Sequence, residues 1–293
     1  MTTLTPFELH SATSVAEATG LLAELGDEAV IYSGGTELLL LMKLGFAEPA
    51  HLVDVKRIPE LQRLDAEGGT LVIGGAVTHR AIERSPLVRA GWPALVEMER
   101  RVANVRVRNV GSLGGNLAFA DPHSDPATFL LAAEATLLLG MGGARRSVAM
   151  ADFVRGPYET ALEPGELIVE IRVPALGAGA AMTHVKFSFH ERPAATIACL
   201  VRGDAGHIAE ARIAVGSVGA VPVRVPEAER DLVGADLALA EDAVVHAAGA
   251  LAAAAAEPEE DANGSAEYKR DLVSVLVGRC LRETAARAAA ATA

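Results

Sequence analysis

Residues 108–116 read Arg-Asn-Val-Gly-Ser-Leu-Gly-Gly-Asn, and residues 33–36 read Ser-Gly-Gly-Thr. Each turn is expected to follow an extended segment, and the first leads directly into a helix over Leu38 to Leu44. Glycine at such places lets the backbone take positive φ and brings N–H groups up to an anion with no Cβ in the way. The positive end of a following helix adds attraction for phosphate. Two such turns converging from different lobes suit the pyrophosphate of a dinucleotide. A single Gly-Gly more often makes only a turn. The pair says more because of its neighbouring residues: Asn116-Leu-Ala-Phe-Ala-Asp121-Pro-His123-Ser124-Asp125 sets an amide, two carboxylates and a hydroxyl beside the second turn. Such groups suit ribose hydroxyls and phosphate oxygens. Asp125 equally suits a cap for a helix opening at Pro126.

Working outward, the segment before the first turn is a small α/β unit. Ser14-x-x-Glu17 is a capping-box pattern, Ala18, Leu21, Leu22 and Leu25 recur at helical spacing, and Gly26 stops the helix. Short strands are expected at 29–32 and 51–55. A second unit begins near residue 60. It holds a strand at 70–75, a helix from about Thr78, another over Ala94 to Ala103, an apolar helix through Phe129 to Ala135, and strands at 135–140 and 167–174. Residues 175–181, Ala-Leu-Gly-Ala-Gly-Ala-Ala, read as a linker. The β-rich runs HVKFSF, ATIACLV and HIAEARIAVGSVG then predict an antiparallel meander. An alanine-rich helix spans Ala243 to Ala256, an acidic loop covers 257–264, and a last helix places Tyr268, Leu272, Val275 and Leu276 on one face. The fold class is α+β.

Composition excludes several functions. The 293 residues are 51% hydrophobic and 22% charged, which is globular and long enough for two or three packed lobes. A net charge of −12 argues against nucleic acid or an anionic membrane surface as partner. No apolar run approaches the roughly 20 residues a spanning helix needs, and no secretory signal opens the chain, so the cytoplasm is the expected compartment. Two cysteines, Cys199 and Cys280, are too few for an iron–sulfur cluster, which takes about four thiolates. Both sit in apolar runs and read as buried free thiols. The histidines at 10, 51, 79, 123, 184, 190, 207 and 246 show no metal-ligand spacing, so no metal site is expected. An NAD-binding reading has some support, since strand, glycine turn, helix, strand and Asp54 mimic that fingerprint. The turn nevertheless lacks G-x-G-x-x-G, and a leucine stands where the third glycine belongs.

Taken together, the chain resembles the flavoprotein subunit of the xanthine dehydrogenase and carbon monoxide dehydrogenase family, the molybdenum hydroxylases. The likeness covers almost the whole sequence. It runs through PFELHSATSVAEATGLLAE, YSGGTELLLLMK and HLVDVKRIPEL, then VRNVGSLGGNLAFADPHSDPATFLLAAEATLLL and FVRGPYETALEPGELIVEIRVP, and ends in GSVGAVPVRVPEAERDLVG and SAEYKRDLVSVLVGR. The resemblance implies an FAD-binding unit of the vanillyl-alcohol oxidase (PCMH) type over residues 1–176, with subdomains of about 1–58 and 59–176. A C-terminal lobe of antiparallel sheet and helices follows over 177–293.

By that resemblance Ser33, Gly34, Gly35, Thr36 and Glu37 form the first FAD loop, and Gly111, Ser112, Gly114, Gly115 and Asn116 the second. Asp121 and Asp125 lie near the ribitol or ribose. Leu167 or Ile168 packs on the flavin, and Lys186 points towards the isoalloxazine, where the residues themselves equally allow a surface lysine on a strand. The match departs after Lys186. Relatives often carry a basic residue followed by an aspartate, whereas this chain reads Phe189-His190-Glu191-Arg192-Pro193-Ala194, with Arg192 as the candidate basic group. The cysteine-rich insert of one branch is absent. The family further implies a small partner subunit with two [2Fe–2S] clusters and a large molybdopterin subunit, assembled as a dimer of heterotrimers. In that assembly FAD on this chain relays electrons to an external acceptor, and no residue here is catalytic for substrate oxidation. Two other functions remain open on the residues alone: a free-standing FAD oxidase, and a dinucleotide-binding regulatory module.

Overall fold

The computed structural model describes residues 4–239 and 242–292. The first unit comprises β1 (Glu8–Ser11), α1 (Val15–Leu25), β2 (Ala29–Tyr32), α2 (Leu38–Leu44) and β3 (His51–Asp54). Its three strands are parallel in the order β1-β3-β2. The expected capping box forms, with Ser14 Oγ accepting from the Glu17 N–H at 3.1 Å. The Glu17 carboxylate reaches back to the Thr13 N–H and hydroxyl, both at 2.7 Å. Gly26 at φ +59° ends the helix.

The second unit holds β4 (Leu64–Glu67), β5 (Thr70–Gly74), α3 (His79–Arg84), α4 (Pro86–Gly91), α5 (Pro93–Glu99), α6 (Val105–Val110), α7 (Leu113–Phe119) and α8 (Asp125–Ala132). It continues through β6 (Thr136–Met141), β7 (Ala144–Ala149), α9 (Met150–Phe153), β8 (Val154–Gly156), β9 (Glu159–Thr160) and β10 (Leu167–Pro174). Its main sheet runs β4-β5-β10-β6-β7, antiparallel throughout. The second glycine turn corrects an expectation here. It follows a helix, not a strand, and is only the break at Gly111-Ser112 between α6 and α7.

The third unit holds β11 (Ala180–Phe187), β12 (Ala195–Asp204), β13 (His207–Gly216), β14 (Val223–Arg224), α10 (Pro226–Leu232), α11 (Asp242–Ala255) and α12 (Ala266–Thr292). The expected meander is present as β11-β12-β13-β14. Central β12 is apolar on both faces, as a strand covered on both sides must be. Ile197, Cys199 and Val201 pack with Val273, Val277 and Cys280 of α12, while Ala198 and Leu200 join the core of the second unit with Phe129 and Leu130. The third unit is therefore docked through a shared core. The expected linker is shorter than read, because Ala180 and Ala181 already belong to β11.

The last helix also differs. Tyr268 and Val275 are exposed, and the buried side is Lys269, Val273, Leu276, Val277 and Cys280. Lys269 is buried despite its charge. Its ammonium pairs with Asp261 and donates to the Glu259 carbonyl, both at 2.8 Å, which lets the stem lie inside.

Candidate functional site

The two glycine turns meet. Ser33 Oγ and Ser112 Oγ are 3.0 Å apart. A Cβ added to Gly34 would lie 2.3 Å from the Val110 carbonyl oxygen and 2.6 Å from Gly111 Cα, so the loops touch backbone to backbone and only glycine fits. Gly114 is equally constrained: its N–H donates to the Gly75 carbonyl at 3.1 Å, and a Cβ would sit 2.3 Å from that oxygen. Gly35 adopts φ +68°. Several of these glycines therefore serve protein-to-protein approach first. Gly115 is different, since its Cβ would meet only Ser112 Oγ at 2.9 Å.

The turns also differ in what they offer a ligand. Backbone N–H groups of Gly34, Gly35 and Thr36 donate to no acceptor among the described residues. In the second turn Leu113, Gly114, Gly115 and Asn116 already donate to Val77, Gly75, the Ser112 hydroxyl and Ser112 O.

Above the turns lies a cleft of about 690 Å³ spanning the three units, within the range of small-molecule sites. Ser33, Gly34, Gly35, Thr36 and Glu37 line it from the first unit. Gly111, Ser112, Gly115, Asn116, Asp121 and Asp125 line it from the second, and Glu191, Arg192 and Pro193 from the third. Four expected residues do not line it. Gly114 is spent on Gly75, and Leu167 and Ile168 are 5% and 6% exposed inside hydrophobic cores. Lys186 faces a smaller opening beside Arg101 and Glu191.

Among the described residues Arg192 is the one Lys or Arg lining the cleft. It bridges the lobes, with its guanidinium 2.7 Å from Asp121 and 3.1 Å from Glu37. An anion in this cleft must therefore be held chiefly by backbone N–H groups and hydroxyls.

Asp125 is not a helix cap, and Lys186 is not a surface lysine. Asp125 is the first residue of α8, and its Oδ2 accepts from Lys186 Nζ at 2.8 Å. Lys186 also donates to the carbonyls of Arg101 and Glu191. Asp125 Oδ1 is buried without a partner. Burial pushes the Asp125 carboxyl up to about 6 against the pull of Lys186, and the nearby Glu99 adds to the rise. Asp125 lines the cleft, so a buried oxygen left without a partner there is suited to a ligand hydroxyl.

Sequence reading missed His79 and Glu99. His79 lines the cleft, and its Nδ1 is 2.7 Å from Glu99 Oε2 in a fully buried pair whose other carboxylate oxygen has no partner. α5 carries two glutamates, Glu97 and Glu99, and nothing in the sequence marks Glu99 as the buried one. Asp54, the candidate acidic residue of an NAD site, instead accepts from the Lys56 N–H at 2.9 Å and lies outside the cleft lining.

Residues 5–176 match the family described as FAD binding domain in molybdopterin dehydrogenase, and residues 188–284 match CO dehydrogenase flavoprotein C-terminal domain. The carbon monoxide dehydrogenase medium chain of Hydrogenophaga pseudoflava is 39% identical, over 97% of this chain and 98% of that one. The 6-hydroxypseudooxynicotine dehydrogenase complex subunit alpha of Paenarthrobacter nicotinovorans is 31% identical, over 96% and 95%. The solved structure of carbon monoxide dehydrogenase from Hydrogenophaga pseudoflava, lacking the Mo-pyranopterin moiety of its molybdenum cofactor, superposes with a TM-score of 0.93 at 38% identity, covering 97% of this chain and 99% of that one. The cleft fits the cofactor these matches imply, by its free N–H groups at Gly34–Thr36 and its orphaned Asp125 oxygen. The chain belongs to this family: it is a medium, FAD-binding subunit of the carbon monoxide and xanthine dehydrogenase type of molybdenum hydroxylase, and so one part of a multi-subunit oxidoreductase.

Proposed function

We propose that the cleft between the three units is the FAD seat, and that this subunit passes electrons from the [2Fe–2S] clusters of a small partner subunit to an external acceptor. The carrying observation is the joined pair of glycine turns on the cleft wall, with three unused N–H groups at Gly34, Gly35 and Thr36. In this reading those N–H groups and the Ser33 and Ser112 hydroxyls hold the pyrophosphate. Asn116, Asp121 and Asp125 receive ribityl or ribose hydroxyls. The bound flavin supplies the redox chemistry, accepting electrons on one side and releasing them on the other. The protein binds it, excludes water and fixes its orientation. Lys186 acts through Asp125, holding that carboxylate in place.

Substrate oxidation then belongs to a large molybdopterin-bearing subunit, and the whole is a dimer of heterotrimers in the cytoplasm. No helix among the described residues is long and apolar enough to cross a membrane. Leu40, Leu44 and Phe46, on α2 and just after it, are exposed apolar side chains of the kind a partner chain covers. The relatives named above oxidise unlike substrates by their names, which fits a subunit that does not choose the substrate.

Acid precipitation of the purified chain tests the seat. About one FAD per chain should appear in the supernatant. Flavin remaining in the pellet, or NAD in its place, would overturn the proposal.

A further inference from the structure

The sequence spacing of the histidines hides a cluster that the fold assembles. Side chains alternate along a strand, so Glu8 and His10 project from the same face of β1. The parallel register sets Glu8 opposite His51 on β3, and the Glu8 N–H donates to the Ala50 carbonyl at 2.8 Å, which locks that register. His51 therefore comes up on the same face, between the other two. His10 Nε2 lies 3.0 Å from His51 Nδ1. Glu8 Oε2 lies 3.9 Å from the first nitrogen and 3.7 Å from the second.

We infer that Glu8, His10 and His51 form a binding site for one divalent transition-metal ion of the Zn²⁺ class. The geometry carries this. From the three separations of 3.0, 3.7 and 3.9 Å, the point equidistant from all three atoms lies about 2.1 Å from each, which is the Zn–N and Zn–O bond length. Two imidazole nitrogens 3.0 Å apart share either a proton or a cation, and the carboxylate beside both stabilises positive charge between them. Imidazole with one carboxylate selects Zn²⁺ and its first-row neighbours over Mg²⁺ or Ca²⁺, which prefer all-oxygen shells. The histidine side chains are 22% and 20% exposed and Glu8 is 68% exposed, so water has access to complete the coordination shell.

The site is independent of the flavin seat. His51 pairs with Ala29 at the start of β2, whereas the Ser33 turn follows Tyr32 at its other end, roughly 10 Å along the strand at about 3.3 Å per residue. Its effect is to clamp the N-terminal strand to the middle of the three-stranded sheet, a structural role with open water positions.

The tag-free chain, stripped with chelator, should bind about one equivalent of Zn²⁺ by isothermal titration, with Mg²⁺ producing no competing heat. His10→Ala and His51→Ala should each weaken that binding by more than about tenfold, since even an outer-shell partner of a metal ligand is commonly worth that much. Circular dichroism should show both variants folded. Zn²⁺ should raise the thermal midpoint of the wild-type chain and leave that of the variants unmoved, because the ion binds only the paired strands. Absence of binding would mean that the two imidazoles share only a proton, and would overturn the inference. Equal binding by wild type and both variants would overturn it as well, by placing the ion elsewhere.

Discussion

At the residue scale, glycines that look alike in sequence do unlike work. Gly34→Ala should lower thermal stability by about 1–3 kcal/mol, as overpacking does, because the new methyl meets backbone at Val110 and Gly111. Gly115→Ala should leave the melting midpoint close to wild type, since it meets only the Ser112 side chain, while weakening FAD retention where the methyl borders the cleft. Thermal melts and flavin content measured on the same preparations separate the two effects.

Two buried titrating groups act in opposite directions. Asp125 sits at about 6 against an ordinary 3.8, so its contribution is whole below about 3.8 and is lost as pH rises through 6. His184 is held at about 3 against 6.5, because burial and the cations of Arg101 and Lys186 disfavour its charged form. Its contribution is present above 6.5 and is lost as pH falls towards 3. The His184 window is the wider, so the flavin-free chain should lose net stability on acidification from pH 6.5. Asp125→Asn, which cannot ionise, should gain on wild type as pH rises from 4 through 6, whatever constant cost comes from leaving Lys186 without its counter-charge. His184→Leu should exceed wild type most in acid, and at every pH it removes a ring whose two nitrogens have no partner. Denaturant titrations across that pH range measure both. Asp125 was legible as a candidate site residue and does line the cleft, but its salt bridge to Lys186 was not legible, because 61 residues separate the partners.

At the element scale, the strands and the longer helices were legible because their apolar periods run for several repeats. The helices around the second turn were not. At six and seven residues, α6 and α7 are too short to show a period, and Gly111, Gly114 and Gly115 suggested a turn. The expected face of α12 was half right, with Leu272 and Leu276 packed inward but Tyr268 and Val275 exposed, and the cause is different. That helix carries apolar residues on more than one stripe, and only contact with β11, β12 and α11 selects among them. Arg192, in the loop between β11 and β12, joins Asp121 and Glu37 across the cleft mouth. Its side chain is 52% exposed, and exposed ion pairs are worth about 0.2–1 kcal/mol each. Arg192→Ala should therefore speed FAD dissociation only severalfold, with little change in thermal stability. Stopped-flow release into an excess of an apoprotein that captures free FAD reads this rate, and a change beyond about a hundredfold would mean that Arg192 contacts the cofactor itself.

At the scale of the whole molecule, the described elements all belong to three packed units around the cleft of about 690 Å³, in keeping with the proposal that an organic substrate is oxidised on another subunit. Composition pointed the same way: two cysteines cannot carry the clusters that a self-sufficient hydroxylase needs, and both prove buried and free. What sequence reasoning could not supply was the way distant segments converge, as with His79 beside Glu99 and Arg192 over Asp121, since each pair is set by tertiary packing. The most direct measurement is size-exclusion chromatography of the native protein with flavin, molybdenum and iron assayed in each fraction. The expected result is one large species that contains this chain and carries about one FAD per copy together with both metals. The contradicting result is this chain eluting alone, free of molybdenum and iron, and oxidising an organic substrate at full rate.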